Sequence, residues 1–76
     1  MSKVKVYTKK KCPQCIMTKR YMDALNIDYE TIDTTEDEEA REYIKQLGFQ
    51  SLPVVEAEGF KAWFGFRPEN IELLSE

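Results

Sequence analysis

Two cysteines separated by two residues, with a proline directly behind the first, constrain this chain more than any other feature: Cys12-Pro13-Gln14-Cys15. Proline has no backbone N–H, and the first residue of an α-helix has no intrahelical partner for one, so Pro13 marks a helix start. In the residues before it, Lys3 to Thr8, Val4 and Val6 alternate with lysines and Tyr7 follows, which is the period of a strand. The cysteines therefore stand where a strand gives way to a helix, Cys12 at or just before the first turn and Cys15 one turn further in. A helix over residues 13–25 puts Cys15, Thr18, Met22 and Leu25 on one face, and Asn26 is a plausible stop.

The rest of the chain continues the alternation. Residues 27–32 are β-branched and aromatic and predict a second strand. Thr35-Glu36-Asp37-Glu38 reads as a capping box whose acids suit the positive end of a helix dipole. Ala40, Tyr43, Ile44 and Leu47 follow at helical spacing, and Gly48 can supply a left-handed C-terminal cap. Residues 52–57 predict a third strand with Pro53 near its start, Glu58-Gly59 a short turn, and residues 60–64 a fourth strand. Pro68 opens a last short helix that buries Ile71 and Leu74. No linker, repeat or low-complexity stretch interrupts the chain, so residues 1–76 are expected to form one domain.

The order β-α-β-α-β-β-α implies a right-handed crossover between two parallel strands, then an antiparallel hairpin. The expected fold is α/β, a mixed four-stranded sheet with helices on both faces. Sites in such sheets gather beyond the C-terminal ends of parallel strands, at helix N-termini, and Cys12 falls there.

Composition removes several function classes. A formal net charge of −3 argues against nucleic acid as the main partner. No apolar run approaches the roughly 18 residues of a membrane span. The start, Met1-Ser2-Lys3-Val4-Lys5, lacks the apolar stretch of a secretory signal, so the cytoplasm is the expected compartment. The chain has no histidine, which excludes a Cys–His nucleophile pair and any His-ligated metal. One C-x-x-C pair cannot by itself close a four-ligand zinc site.

Disulfide exchange needs an attacking thiolate, a second thiol within reach and a good leaving group. The helix dipole and free N–H groups at the start of the helix favour a thiolate at Cys12, with Cys15 placed as the resolving thiol. Lys9, Lys10 and Lys11 either add positive charge there or form a solvated loop. As a structural staple, a loop this short would stabilise the fold by only about 2 kcal/mol. A metal or iron–sulfur site shared between two chains would need ligands from elsewhere. Ser51-Leu52-Pro53 is a turn entering a strand, or a cis peptide exposing backbone polar groups beside the thiols. Strand alternation sends Trp63 and Phe64 to opposite faces, and an aromatic left partly exposed near the thiols suggests a protein-docking patch.

Cys12-Pro13-Gln14-Cys15, Leu52-Pro53-Val54-Val55 and Trp63-Phe64-Gly65-Phe66-Arg67-Pro68-Glu69 together resemble the NrdH-type redoxins, glutaredoxin-like electron donors to ribonucleotide reductase. The resemblance spans essentially the whole chain, and the Trp63-to-Glu69 segment is its most specific part. It implies the thioredoxin fold, with Pro53 cis beside the dithiol. It implies Cys12 as nucleophile and Cys15 as resolving thiol, with Lys11, Pro13, Gln14, Leu52, Pro53, Trp63, Phe66 and Arg67 as candidate partner-binding residues. No bound cofactor or metal is implied beyond the redox-active Cys12–Cys15 disulfide. NADPH and FAD would act only through a partner, thioredoxin reductase. The client would be the catalytic subunit of class Ib ribonucleotide reductase, and the redoxin a monomer. Two positions depart from the family pattern: Phe64 stands where serine is common, and Pro13 is more typical of glutathione-dependent glutaredoxins. The Gly-Gly pair and following Asp with which glutaredoxins hold glutathione are absent, and Gly65-Phe66-Arg67-Pro68 stands there instead. The competing readings are a glutathione-dependent glutaredoxin and a non-catalytic metal-bridging or scaffold module.

Overall fold

The computed structural model describes residues 3–75; Met1 and Ser2, where the expected lack of a secretory signal begins, and Glu76, the last residue of the expected domain, lie outside the described residues. Seven elements occur in the expected order: β1 (Val4–Thr8), α1 (Pro13–Ala24), β2 (Glu30–Asp33), α2 (Glu38–Gln46), β3 (Val54–Ala57), β4 (Trp63–Phe64) and α3 (Pro68–Leu74). They form one four-stranded sheet in the order β2-β1-β3-β4. β1 runs parallel to β2 and antiparallel to β3, and β3 runs antiparallel to β4.

Strand alternation splits the core between the two faces of the sheet. Val4, Val6, Val55, Ala57 and Trp63 pack against Met22 of α1 and Ile71 of α3. Tyr7 and Val54 point the other way, onto Ala40 and Ile44 of α2. Each fully buried aliphatic side chain of this size contributes about 1.5–3 kcal/mol. On the α2 side the Tyr7 hydroxyl donates to Glu56 Oε1 at 3.2 Å, and the Tyr43 hydroxyl donates to Glu56 Oε2. Burial and the Glu56 carboxylate hold the Tyr7 phenol far above the ordinary tyrosine range.

The element ends show which local signal prevails. α1 closes on Leu25 with Asn26 in the left-handed region (φ 58°). The Asn26 N–H donates to the Asp23 carbonyl at 3.1 Å and the Ile27 N–H to the Met22 carbonyl at 2.9 Å. This is a Schellman motif. It uses Ile27 as cap and as core contact, so β2 starts at Glu30 rather than at residue 27. Leu47 and Gly48 (φ 94°) close α2 in the same way, through Gly48 N–H to Lys45 O and Phe49 N–H to Ile44 O.

The cap of α2 is Asp37, whose carboxylate accepts from the Ala40 N–H at 3.0 Å, and not the expected Thr35. The Asp33 side chain accepts the Thr35 N–H at 2.8 Å and folds that segment into a turn, which delays the helix to Glu38. β3 begins at Val54 rather than at residue 52, because Pro53, which has no N–H to give to the ladder, stands before it. β4 is only Trp63–Phe64, not residues 60–64. Phe60 donates its N–H to the Ala57 carbonyl at 3.0 Å and so belongs to the turn.

Candidate active site

Cys12 is the N-cap of α1 and Pro13 the first helical residue, as their order in the sequence requires. The Cys12 and Cys15 sulfurs are joined in a disulfide, with their Cα atoms 5.2 Å apart. Cys12 Sγ also takes the place of a capping oxygen: the Cys15 N–H donates to it at 3.2 Å. A helix N-terminus with an N–H aimed at sulfur favours negative charge on that sulfur once the bond is reduced. Both cysteines are buried, Cys15 the more so, with 1% exposed against 5% for Cys12. Thr18, buried under Cys15 on the same face, satisfies its hydroxyl on the Gln14 carbonyl at 2.9 Å.

Three chain segments meet around the disulfide. The Leu52 carbonyl oxygen lies 3.9 Å from Cys12 Sγ. The Leu52 side chain is half-buried against the α2-side core, and Pro53 is buried. The Leu52–Pro53 peptide is cis, one of the two alternatives open at the sequence level. The Pro53 carbonyl accepts the Gly65 N–H at 2.8 Å. The Gln14 side-chain oxygen accepts the Phe66 N–H at 3.2 Å, which ties the cysteine turn to the segment before α3. Gly65, at φ 85°, makes the turn that lets both bonds form.

The aromatic residues divide as alternation requires. Trp63 pairs with Val55 in register and lies in the core with 8% exposed; Phe64 pairs with Val54 and stays 45% exposed. Among the described residues the buried Trp63 indole N–H has no hydrogen-bond partner. Phe64 packs at 6.3 Å from the Phe49 ring, and the Arg67 guanidinium stands 5.7 Å from its centroid. Arg67 also donates from Nε to the Phe64 carbonyl at 3.2 Å. Phe66 is half-buried and meets Tyr21 edge to face at 6.0 Å, while the Tyr21 hydroxyl donates to Glu72 at 2.7 Å; these contacts brace α3 against α1.

Lys9, Lys10 and Lys11 are all exposed. Lys10 pairs with Glu36 at 3.7 Å, on a side chain itself largely solvated. Lys11 occupies the left-handed region (φ 57°) just before Cys12. Pro13 and Gln14 are exposed at the mouth of the site. Arg41, Lys45 and Phe49, which no sequence motif marks, line a groove of about 470 Å³ together with Lys9 and Leu52. The four-residue spacing of Arg41 and Lys45, one helical turn apart on α2, was the available signal. Among the described residues no group of three or more His, Cys, Asp or Glu side chains is placed to hold a metal. Nor, among the described residues, is any helix long and apolar enough to cross a membrane.

Comparison with known proteins adds a consistent set of likenesses. The glutaredoxin family model matches residues 4–60. The glutaredoxin-like protein NrdH of Escherichia coli K12 is 42% identical over 72 residues, 95% of this chain and 88% of that protein. Its counterpart in Lactococcus lactis IL1403 is 35% identical over 95% of this chain and 99% of its own length. The solved NrdH-redoxin of Escherichia coli, described as a glutaredoxin-like protein with a thioredoxin-like activity profile, superposes with a TM-score of 0.90 at 41% identity. That match covers 93% of this chain and 92% of the other. The α/β sheet and its three helices are thus the thioredoxin-like fold expected from the element order.

Proposed function

The chain belongs to the glutaredoxin family as an NrdH-like redoxin, a thiol–disulfide oxidoreductase, and from that premise we propose that Cys12 is its attacking sulfur and Cys15 its resolving one. The observation that carries this reading is the position of the pair: Cys12 caps α1 and receives the Cys15 N–H, while Cys15 lies deeper in the helix.

The exchange takes two steps. The Cys12 thiolate attacks one sulfur of a client disulfide, and the other client sulfur leaves as a thiolate and takes up a proton. Cys15 then gives up its proton and attacks Cys12 Sγ, expelling the remaining client sulfur. The client gains two electrons from the redoxin and two protons, one given up by Cys15 and one from solvent, and the redoxin is left with the Cys12–Cys15 disulfide. The nearby Leu52 carbonyl and the exposed Pro13 and Gln14 support a docking role for those residues. Trp63 supports the rim from within the core, and Phe66 and Arg67 hold the segment that faces the cysteine turn.

On this reading residues 1–76 work as one cytoplasmic domain and as a monomer. Thioredoxin reductase restores the dithiol with electrons from NADPH by way of its FAD, and the client is the catalytic subunit of a class Ib ribonucleotide reductase. The test is a coupled assay. Oxidised protein is mixed with NADPH and insulin, and with either thioredoxin reductase or glutathione plus glutathione reductase. NADPH loss with thioredoxin reductase alone supports the reading. Loss only in the glutathione arm overturns it and makes the chain a glutathione-dependent glutaredoxin, as Pro13 would suggest. A protein inert in both arms, with bound metal after purification, would make it a non-catalytic module.

A further inference from the structure

The surface beside the dithiol has a charge opposite to that of the chain as a whole. The net charge is −3, yet the groove next to Leu52 is walled by Lys9, Arg41 and Lys45, and among the described residues no carboxylate lines it. Its apolar floor is Ile44, Phe49 and Leu52. Among the described residues the Lys9 and Arg41 side chains have no ion pair. Lys45 reaches Glu42 at 3.8 Å, but both side chains are more than half exposed, so the pair is weak.

The groove does not end at Phe49. That residue and Gln50 also line an adjoining hollow that Phe64 closes, and beyond Phe64 stands the Arg67 guanidinium. A strip therefore runs from the Arg41–Lys45 edge, across Phe49 and Phe64, to Arg67. Near its middle is Leu52, whose carbonyl is 3.9 Å from Cys12 Sγ.

We propose that this strip docks an acidic, extended polypeptide segment of the client, with carboxylates flanking the disulfide that Cys12 attacks. The proposal rests on the reading of Cys12 and Cys15 as the exchanging pair. Like-signed charges gathered in a groove draw an oppositely charged segment towards it and raise the encounter rate, by tenfold or more in favourable cases. The aromatic floor accepts apolar side chains between the carboxylates, and Arg67 with the Arg41–Lys45 pair fixes the two ends. The attraction weakens with salt, because the Debye length falls to about 8 Å at physiological ionic strength.

The test uses the full-length reduced protein and three short peptides. Each carries the same Cys-x-x-Cys disulfide and differs only in its flanks: aspartate and glutamate, their amides, or lysine and arginine. Single-turnover reduction is followed at low and high salt. The acidic peptide should react about tenfold faster than the amide peptide at low ionic strength, and the advantage should shrink as salt rises. In Arg41→Gln/Lys45→Gln the ratio of the two rates should fall towards one. In Arg41→Glu/Lys45→Glu the preference should pass to the basic peptide, a gain that a misfolded variant cannot produce. Equal rates for the acidic and amide peptides in the wild type would overturn the proposal, as would an acidic preference that survives charge reversal. Oxidised glutathione, which also carries carboxylates, forms a further arm. If it reacts as fast as the acidic peptide and loses as much rate in the Gln variant, the groove serves a small thiol and not a polypeptide. Failure to reduce any of the four would refute the dithiol reading, and the docking proposal with it.

Discussion

Substituting alanine for Gly65 probes the junction on which the site depends. Gly65 sits at φ 85°, donates its N–H to the Pro53 carbonyl and precedes Phe66, whose N–H bonds to Gln14. A Cβ built there would meet Gln14 Oε1 at 3.5 Å, an ordinary contact, so space is not the obstacle. The cost is in the backbone, since an L-residue in the left-handed region is disfavoured by roughly 1–2 kcal/mol. In a domain of this size each kcal/mol lowers the melting temperature by roughly 4–8 °C, so Gly65→Ala should melt roughly 4–16 °C below wild type. Circular dichroism of the oxidised proteins reads this directly. Gly59→Ala is the control, because Gly59 has nearly the same φ, 86°, and nothing within 4 Å of an added Cβ. The two variants should lose stability alike, and Gly65→Asn should recover part of the loss, since asparagine tolerates this region better. A Gly65→Ala protein that melts at or above the wild-type temperature would refute the assigned backbone conformation and the tie it makes to Pro53.

Three further expectations concern single contacts. Gln14→Ala removes the acceptor for the Phe66 N–H, so that amide should exchange faster with solvent while amides in β1 and β3 keep their protection, as read by NMR hydrogen exchange. Asp37→Ala removes the α2 cap and should cost about 1 kcal/mol in urea denaturation, whereas Thr35→Ala should cost less. The Tyr29 phenol is pushed up to about 12 by burial first and then by its bond to Asp23. It keeps its proton in the folded protein above the unfolded value of about 10. Its contribution to stability is therefore complete below that value and lost as pH rises through about 12. Tyrosinate absorbance should show Tyr29→Phe removing one late-titrating phenol.

The sequence announced the parts of the fold that rest on one residue's chemistry. Pro13 can only open a helix after Cys12, and Gly48 ends α2 because it accepts the left-handed region without strain. The misplaced boundaries came from residues with two competing uses. Ile27 looks like the start of a strand, but its N–H and side chain close α1. Thr35 and Asp37 both qualify as caps, and the choice between them was made by the Asp33 side chain. Phe60 is apolar like its strand neighbours, yet its N–H is bound in the turn.

At the site, the cysteine pair was legible from its position, and the opposed faces of Trp63 and Phe64 from strand period. The bonds that assemble the rim were not. Gln14 and Phe66 lie 52 positions apart, and no local pattern marks a side-chain amide for one particular backbone N–H. Lys9 and Arg41 likewise share a groove only because β1 and α2 pack side by side.

Trapping the mixed disulfide distinguishes an attacking Cys12 and a resolving Cys15 from the reverse assignment. Cys15→Ser and Cys12→Ser proteins are each reduced, mixed with a peptide disulfide and examined by intact mass spectrometry. Cys15→Ser should accumulate a one-to-one mixed disulfide at Cys12, released by added reductant, while Cys12→Ser should form none and support no turnover. An adduct that forms on Cys15 in the Cys12→Ser protein, with none on Cys12 in the other, would reverse the two roles.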